Sequence, residues 1–317
     1  MLNKKDFPRD PSFELQRDLL IHPETNPTTY IPFEDADQHP FEPDPHEWSR
    51  VNAWWLADAS WLAYVHGEAE VRRTFLERAQ MTSCELIDRS GTQCYVAHRD
   101  SFAIVAFRGT QPDDWKDLFE IVRFLPTSWD VGRVHTGFAD ALEAVWGPLE
   151  RSLDALPAGC KVWFTGHSLG AALATLAATR RGDRAAGLYT FASPRVGDGV
   201  FAAHVDRMFG RLSLRYVNDH DVVTHVPPPS FAIPGRYTHV NELRWISRDG
   251  QVGTVEPTLP HFVSDVFGDP HLLLDVVDIL RQSSRIAIPD ALVDHTPLYY
   301  ALHAWNDFVV NGTPAGV

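Results

Sequence analysis

Residues 95 to 217 alternate strand-length apolar runs with segments of helical period, which predicts an α/β protein: a doubly wound, mostly parallel sheet with helices on both faces. Three observations carry the prediction. Ala103–Phe107, Lys161–Thr165, Gly187–Ala192 and Leu212–Val217 are apolar runs of strand length. Thr136–Leu156, Leu169 to about Arg180 and Val200–Met208 repeat apolar residues at helical spacing. The run at Lys161–Thr165 passes directly into Gly166, so a strand ends on a glycine-flanked turn and a helix begins at once.

Taken in order, residues 1 to about 46 hold Pro8, Pro11, Pro23, Pro27, Pro32, Pro40, Pro43 and Pro45 among many acids. That composition resists helix and sheet and predicts an extended arm that wraps the domain or is partly disordered. Residues 47–317 form the main domain. It opens with Val51, Trp54, Trp55, Ala59, Leu62 and Val65 at helical spacing, an amphipathic helix laid on a core. Tyr95–His98, the polar turn Arg99-Asp100-Ser101 and Ala103–Phe107 predict a hairpin. Residues 111–130 interleave Trp115, Leu118, Phe119, Ile121, Val122, Phe124, Leu125 and Trp129 with charged residues, an amphipathic segment. Residues 248–290 form a long stretch in which Leu273, Val276, Val277 and Leu280 predict an inserted helix.

With 317 residues, 44% hydrophobic and 22% charged, the chain is long enough for a large core. Its formal charge of −14 repels phosphate backbones, so nucleic acid is excluded as a partner. No run is long enough for a transmembrane segment, and no secretory signal pattern stands at Met1–Pro8, which points to a cytoplasmic location. Cys84, Cys94 and Cys160 stand at no metal-ligand spacing, and neither a metal nor an organic cofactor is expected. Cys84 and Cys94 fit paired strands, as small core residues.

Gly166-His167-Ser168-Leu169-Gly170 is a G-x-S-x-G element with a strand before it and an alanine-rich helix after it. A serine hydroxyl is a poor nucleophile at neutral pH, so it must be held on a tight turn, open to substrate and to a base. The flanking glycines permit that turn. The N-terminus of the following helix offers N–H groups and partial positive charge where an oxyanion would form, and the amide of Leu169 is one expected donor.

Further segments stand in order along the chain: Phe107-Arg108-Gly109-Thr110, Trp115 with Asp117, His135-Thr136-Gly137-Phe138, the Ser168 element, Ser193-Pro194-Arg195-Val196-Gly197-Asp198, Asn218 with Asp221 and Pro227, and Asp294-His295. In these segments and their order the chain resembles the class 3 lipases over roughly residues 48 to 305. The resemblance implies an α/β-hydrolase fold and a triad of Ser168, Asp221 and His295, with Thr110 as the second oxyanion donor. It also implies that residues 111–130 are a lid able to meet a lipid interface. Asp219 and Asp198 are rivals for the acid, and His239 and His261 for the base. His167 is expected to support the turn at Ser168, His135 to be a buried polar residue, and Arg108 and Arg195 to hold loops. Ser193 departs from the family's usual glycine. The resemblance implies hydrolysis of carboxylic esters of apolar substrates, acylglycerols above all. Phospholipase, thioesterase and feruloyl-type esterase activities use the same residues, and a non-catalytic binding protein of this fold is the reading from another class.

Overall fold

The computed structural model describes residues 2–8, 12–109, 126–227, 237–255 and 290–312. Thr110, His261, most of the expected lid and the expected inserted helix lie outside these residues.

An eight-stranded sheet organises the described residues. Its antiparallel edge is β1 (Ser83–Arg89), β2 (Thr92–Arg99) and β3 (Phe102–Phe107). The strands β6 (Lys161–His167), β7 (Ala185–Phe191), β9 (Ser213–Asn218) and β11 (Glu242–Ile246) then follow β3 in parallel, and β12 (Val252–Gly253) closes the far edge antiparallel. The central strands β3, β6, β7 and β9 are buried on both faces over most of their length, which is why they read as continuous apolar runs rather than as alternating ones. A second, four-stranded sheet joins β4 (Pro126–Ser128), β5 (Arg133–His135), β8 (Gly197–Asp198) and β10 (Tyr237–Thr238).

Each face of the main sheet carries its own apolar cluster. On one face, α4 (Thr136–Asp154), α5 (Leu169–Arg181) and α6 (Gly199–Phe209) pack through Leu142, Leu149, Leu176 and Val205 against Val105, Phe164 and Leu188. On the other, α2 (Arg50–Leu62) and α8 (Pro297–Asp307) pack through Trp54, Trp55, Leu302 and Trp305 against Ile104, Trp163 and Tyr189. The helix α2 is buried nearly all round, unlike the one-faced helix expected, because the N-terminal arm covers the side away from the sheet. Trp61 Nε1 donates to the Pro23 carbonyl at 3.0 Å, and Asp58 accepts from Tyr30 Oη at 2.6 Å and from the Phe33 amide at 2.7 Å.

The arm itself departs from expectation, since Phe13–Ile21 is a helix, α1. Its span lies between Pro11 and Pro23 and contains no proline, and Ser12 caps it by accepting the Leu15 amide at 3.2 Å. Further elements were not anticipated, among them β1, β11, α3 (Glu68–Glu77) and the whole second sheet. Cys84 and Cys94 do stand on paired strands, but out of register with each other, opposite Ala97 and Ile87 respectively, and both are free thiols. The end of the expected lid, residues 126–128, is the strand β4, and Trp129 beside it stacks under Arg180 of α5 at 4.6 Å.

Candidate active site

The parallel strands β6, β7 and β9 end on the same edge of the sheet, and the sequence motifs stand in the turns just beyond them. Ser168 links β6 to α5 with φ 57° and ψ −126°, a backbone conformation that non-glycine residues rarely adopt. Hydrogen bonds on both sides hold it: its amide donates to the Phe191 carbonyl at 3.0 Å, and its carbonyl accepts from Ala171 at 3.0 Å. The two flanking glycines are dictated by contact. A Cβ on Gly166 would collide with the backbone of Gly170, and one on Gly170 would collide with the Phe107 carbonyl of β3. Strand, turn and helix therefore pass within backbone contact, and no side chain fits between them.

His295 lies in the short loop between α7 (Asp290–Val293) and α8. Its Nδ1 stands 2.9 Å from both carboxylate oxygens of Asp221, which is wholly buried just past β9. Asp221 also accepts from the Val223 amide at 3.0 Å and from Tyr300 Oη at 2.6 Å. Tyr300 is in turn fixed by the Asn218 amide, which donates to its hydroxyl oxygen at 2.9 Å. Burial, and then the adjacent Asp221, push the Tyr300 phenol well above its ordinary range, so it remains a proton donor. The loop carrying His295 is tied to the end of β9 by Asn218 Nδ2, which donates to the Asp294 carbonyl at 3.0 Å.

The other edge of the His295 ring packs on His167, with ring centroids 4.6 Å apart. Tyr64 Oη lies 2.9 Å from His167 Nδ1. Burial, and next the neighbouring His295, hold His167 neutral, so no second cation opposes charge on His295. Ser168 and His295 face the same small space, and each is only 2% exposed.

The rivals stand elsewhere or do other work. Asp198 caps α6, accepting from the amides of Val200 and Phe201 at 3.1 and 2.9 Å. Asp219 pairs with His220 at 3.0 Å. Burial, followed by the charges of Arg215, Arg195 and His225, depresses His239, which makes no bond to Asp221. Burial lowers His135 to about 4, and its ring packs on Phe138. Arg195 donates to the carbonyls of His225 and Pro227, and Arg108 to Gln93. Ser193 Oγ donates to the Pro194 carbonyl at 3.0 Å. Among the described residues, Asp219, His220 and Asp294 alone bring three possible metal-ligand atoms within 4.8 Å, and two of these residues already pair with each other. Tyr300 and Tyr64 are the site residues that sequence reasoning missed. Tyr300 was within reach, since it lies in the Asp294–Tyr300 segment, whereas Tyr64 sits far upstream in a stretch that reads only as packing.

Residues 104–231 match the family model described as lipase (class 3). Over these residues the chain is similar to the class 3 lipases. A lipase of Rhizomucor miehei is 34% identical to this chain over 180 residues, covering 52% of this chain and 47% of that one. A secreted mono- and diacylglycerol lipase A of Penicillium cyclopium is 29% identical over 205 residues, or 56% of this chain and 65% of that one. This chain thus spans from about half to just under two thirds of these curated relatives. The solved Rhizomucor miehei triacylglyceride lipase superposes with a TM-score of 0.50 at 25% identity, over 76% of this chain and 94% of that chain. The chain therefore has the α/β-hydrolase fold, its mostly parallel sheet enclosed by helices on both faces. No helix among its described residues is long and apolar enough to cross a membrane.

Proposed function

We propose that this chain hydrolyses carboxylic esters of apolar substrates, acylglycerols above all, through an acyl-enzyme on Ser168. One observation carries the reading: a serine on a strained strand-to-helix turn shares a buried space with a histidine whose far nitrogen is held by a buried carboxylate. The relative named as a mono- and diacylglycerol lipase supports the substrate class.

Ser168 Oγ attacks the ester carbonyl carbon while its proton passes to His295 Nε2. The tetrahedral oxyanion is held by the amides of Leu169 and Thr110. Collapse expels the alcohol, which takes the proton from His295, and leaves the acyl group on Ser168. Water then repeats the sequence, giving its proton to His295 and releasing the carboxylic acid as Ser168 recovers its proton. Asp221 keeps Nδ1 protonated, so that Nε2 is the acceptor, and balances the imidazolium. The chemistry requires neither a metal nor an organic cofactor.

Residues 111–130 are proposed as a lid whose apolar face covers the site in water and meets a lipid surface on opening. Exposing such a face to water is unfavourable by roughly 25 cal/mol per Å². Activity on a water-insoluble ester should therefore rise sharply once the substrate forms a separate phase. Replacing Phe119 and Phe124 by Ser should flatten that rise and spare short soluble esters. A smooth hyperbolic curve through the solubility limit, unchanged in the variant, would leave plain esterase as the activity. Ser168→Ala should abolish turnover across a panel of p-nitrophenyl esters and emulsified triglyceride. Retained turnover would refute the nucleophile.

A further inference from the structure

The space into which Ser168 and His295 face has a free volume of about 10 Å³, room for a single water. An ester must bring at least a carbonyl group and its leaving oxygen to the same two side chains, so part of this wall has to leave before acyl transfer begins. Most of the wall belongs to the framework already described. Tyr64 contacts His167, His295 is bonded to Asp221, and Pro297 begins α8. Among the described residues, the rest comes from the other end of the chain: Leu19 and Leu20 of α1, with Pro23 just beyond it.

The arm is fastened on either side of α1. Upstream, Lys5 and Asn306 of α8 exchange two hydrogen bonds of 2.8 and 2.9 Å, and Trp305 Nε1 donates to the Asn3 carbonyl at 3.0 Å. Downstream, the bonds of Pro23, Tyr30 and Phe33 to α2 hold it again. Between these points the nine residues of α1 form a helix too short to stand alone in water. The polar bonds at its ends, Ser12 to the Leu15 amide and Thr25 to Asp18, are solvent-exposed. What docks it is the burial of Leu19, which is fully enclosed, and of Leu20, which is half-buried.

We propose that α1 is a tethered occupant of the acyl-binding space: Leu19 and Leu20 stand where the substrate's acyl group must lie, and an apolar phase displaces them. The inference rests on the serine-hydrolase reading. Because both ends of the strap stay attached, displacement is local and reversible, and the blocked and open forms are two arrangements of one folded chain. In water the blocked form dominates, since opening exposes the leucines and the space they fill. An acyl chain takes over the cavity wall, and a lipid surface receives the leucines, so the two effects favour opening together.

The test is the rate at which a soluble fluorophosphonate labels Ser168 in the full-length chain. Labelling scales with the open fraction, so Leu20→Ala should label about tenfold faster than the natural chain, with an unchanged melting temperature. The Leu19→Asp, Leu20→Asp double variant should label faster still. Equal labelling rates in the natural chain and in Leu20→Ala would overturn the proposal, and that arm decides even if the double variant fails to fold. A natural chain and variants that all resist labelling would instead refute the serine nucleophile, and the plug with it.

Discussion

Asp221 carries the largest number of bonds at the site, and each has a separate physical effect. The Val223 amide fixes one carboxylate oxygen, Tyr300 Oη fixes the other, and the two together leave only one orientation in which both face His295 Nδ1. Tyr300 touches no reacting atom, and its part is to position the acid. Hydrogen bonds to charged groups contribute about 1.5–3 kcal/mol, so Tyr300→Phe should lower kcat on a soluble ester by about 10- to 100-fold. KM should stay unchanged, because the substrate does not contact the phenol. Steady-state kinetics on p-nitrophenyl butyrate measures both, and a KM effect alone would place Tyr300 in substrate binding instead. Asp294, next to His295, contrasts with Asp221. Burial first, and then the charges of Asp219 and Asp221, push its carboxyl up to about 8, so at neutral pH it is held largely neutral. That avoids a third negative charge where Asp221 already supplies the one the imidazolium needs.

At the scale of elements, α2 joins the two ends of the chain to the sheet. Its Asp58 is buried and takes bonds from Tyr30 and Phe33 of the arm, and burial is the main reason its carboxyl is pushed to about 7. A folded value above the ordinary 3.8 means that the native chain holds a proton the unfolded chain has lost. The contribution is therefore full below about 3.8 and is lost as pH rises through about 7. The melting temperature of the natural chain should fall relative to that of Asp58→Asn between about pH 4 and 8. Calorimetry across that range checks it, and parallel curves would show that Asp58 does not titrate there. The same region links elements to the site. The arm residues that bond to α2 lie only a few positions beyond Leu19 and Leu20, so arm docking and access to Ser168 are mechanically connected.

Over the whole molecule, the face of the sheet formed by α2, α8 and the arm is dominated by aromatic rings. Trp54 stacks on Phe308 with centroids 5.5 Å apart and meets Trp305 edge-on at 4.8 Å. These contacts hold α8, whose first turn follows His295 and whose Tyr300 binds Asp221. Trp54→Ala should cost about 3–5 kcal/mol in denaturant unfolding, as large core truncations do. If the folded fraction then keeps its kcat, the aromatic face serves stability. If kcat falls in parallel, that packing also sets the geometry of the triad.

By itself, the sequence determined what depends on local pattern. Apolar runs gave β3, β6, β7 and β9 because both faces of those strands are buried, and helical spacing gave the helices between them. Gly166 and Gly170 stood out around Ser168 because steric contact leaves no other residue where a strand, a turn and a helix nearly touch. The same reasoning missed β1, whose half-exposed residues carry no continuous apolar run, and α3, whose residues are mostly exposed and charged. It read the proline-rich arm as extended, wrapping the domain or partly disordered, although the proline-free stretch inside it needed only an apolar seat to become a helix. That seat is supplied by residues far away in sequence, and so are the Tyr300 bond to Asp221 and the contact of Tyr64 with His167. Tertiary structure alone decided these, because each joins side chains that only the wound sheet brings together, and no periodicity along the chain encodes such a meeting.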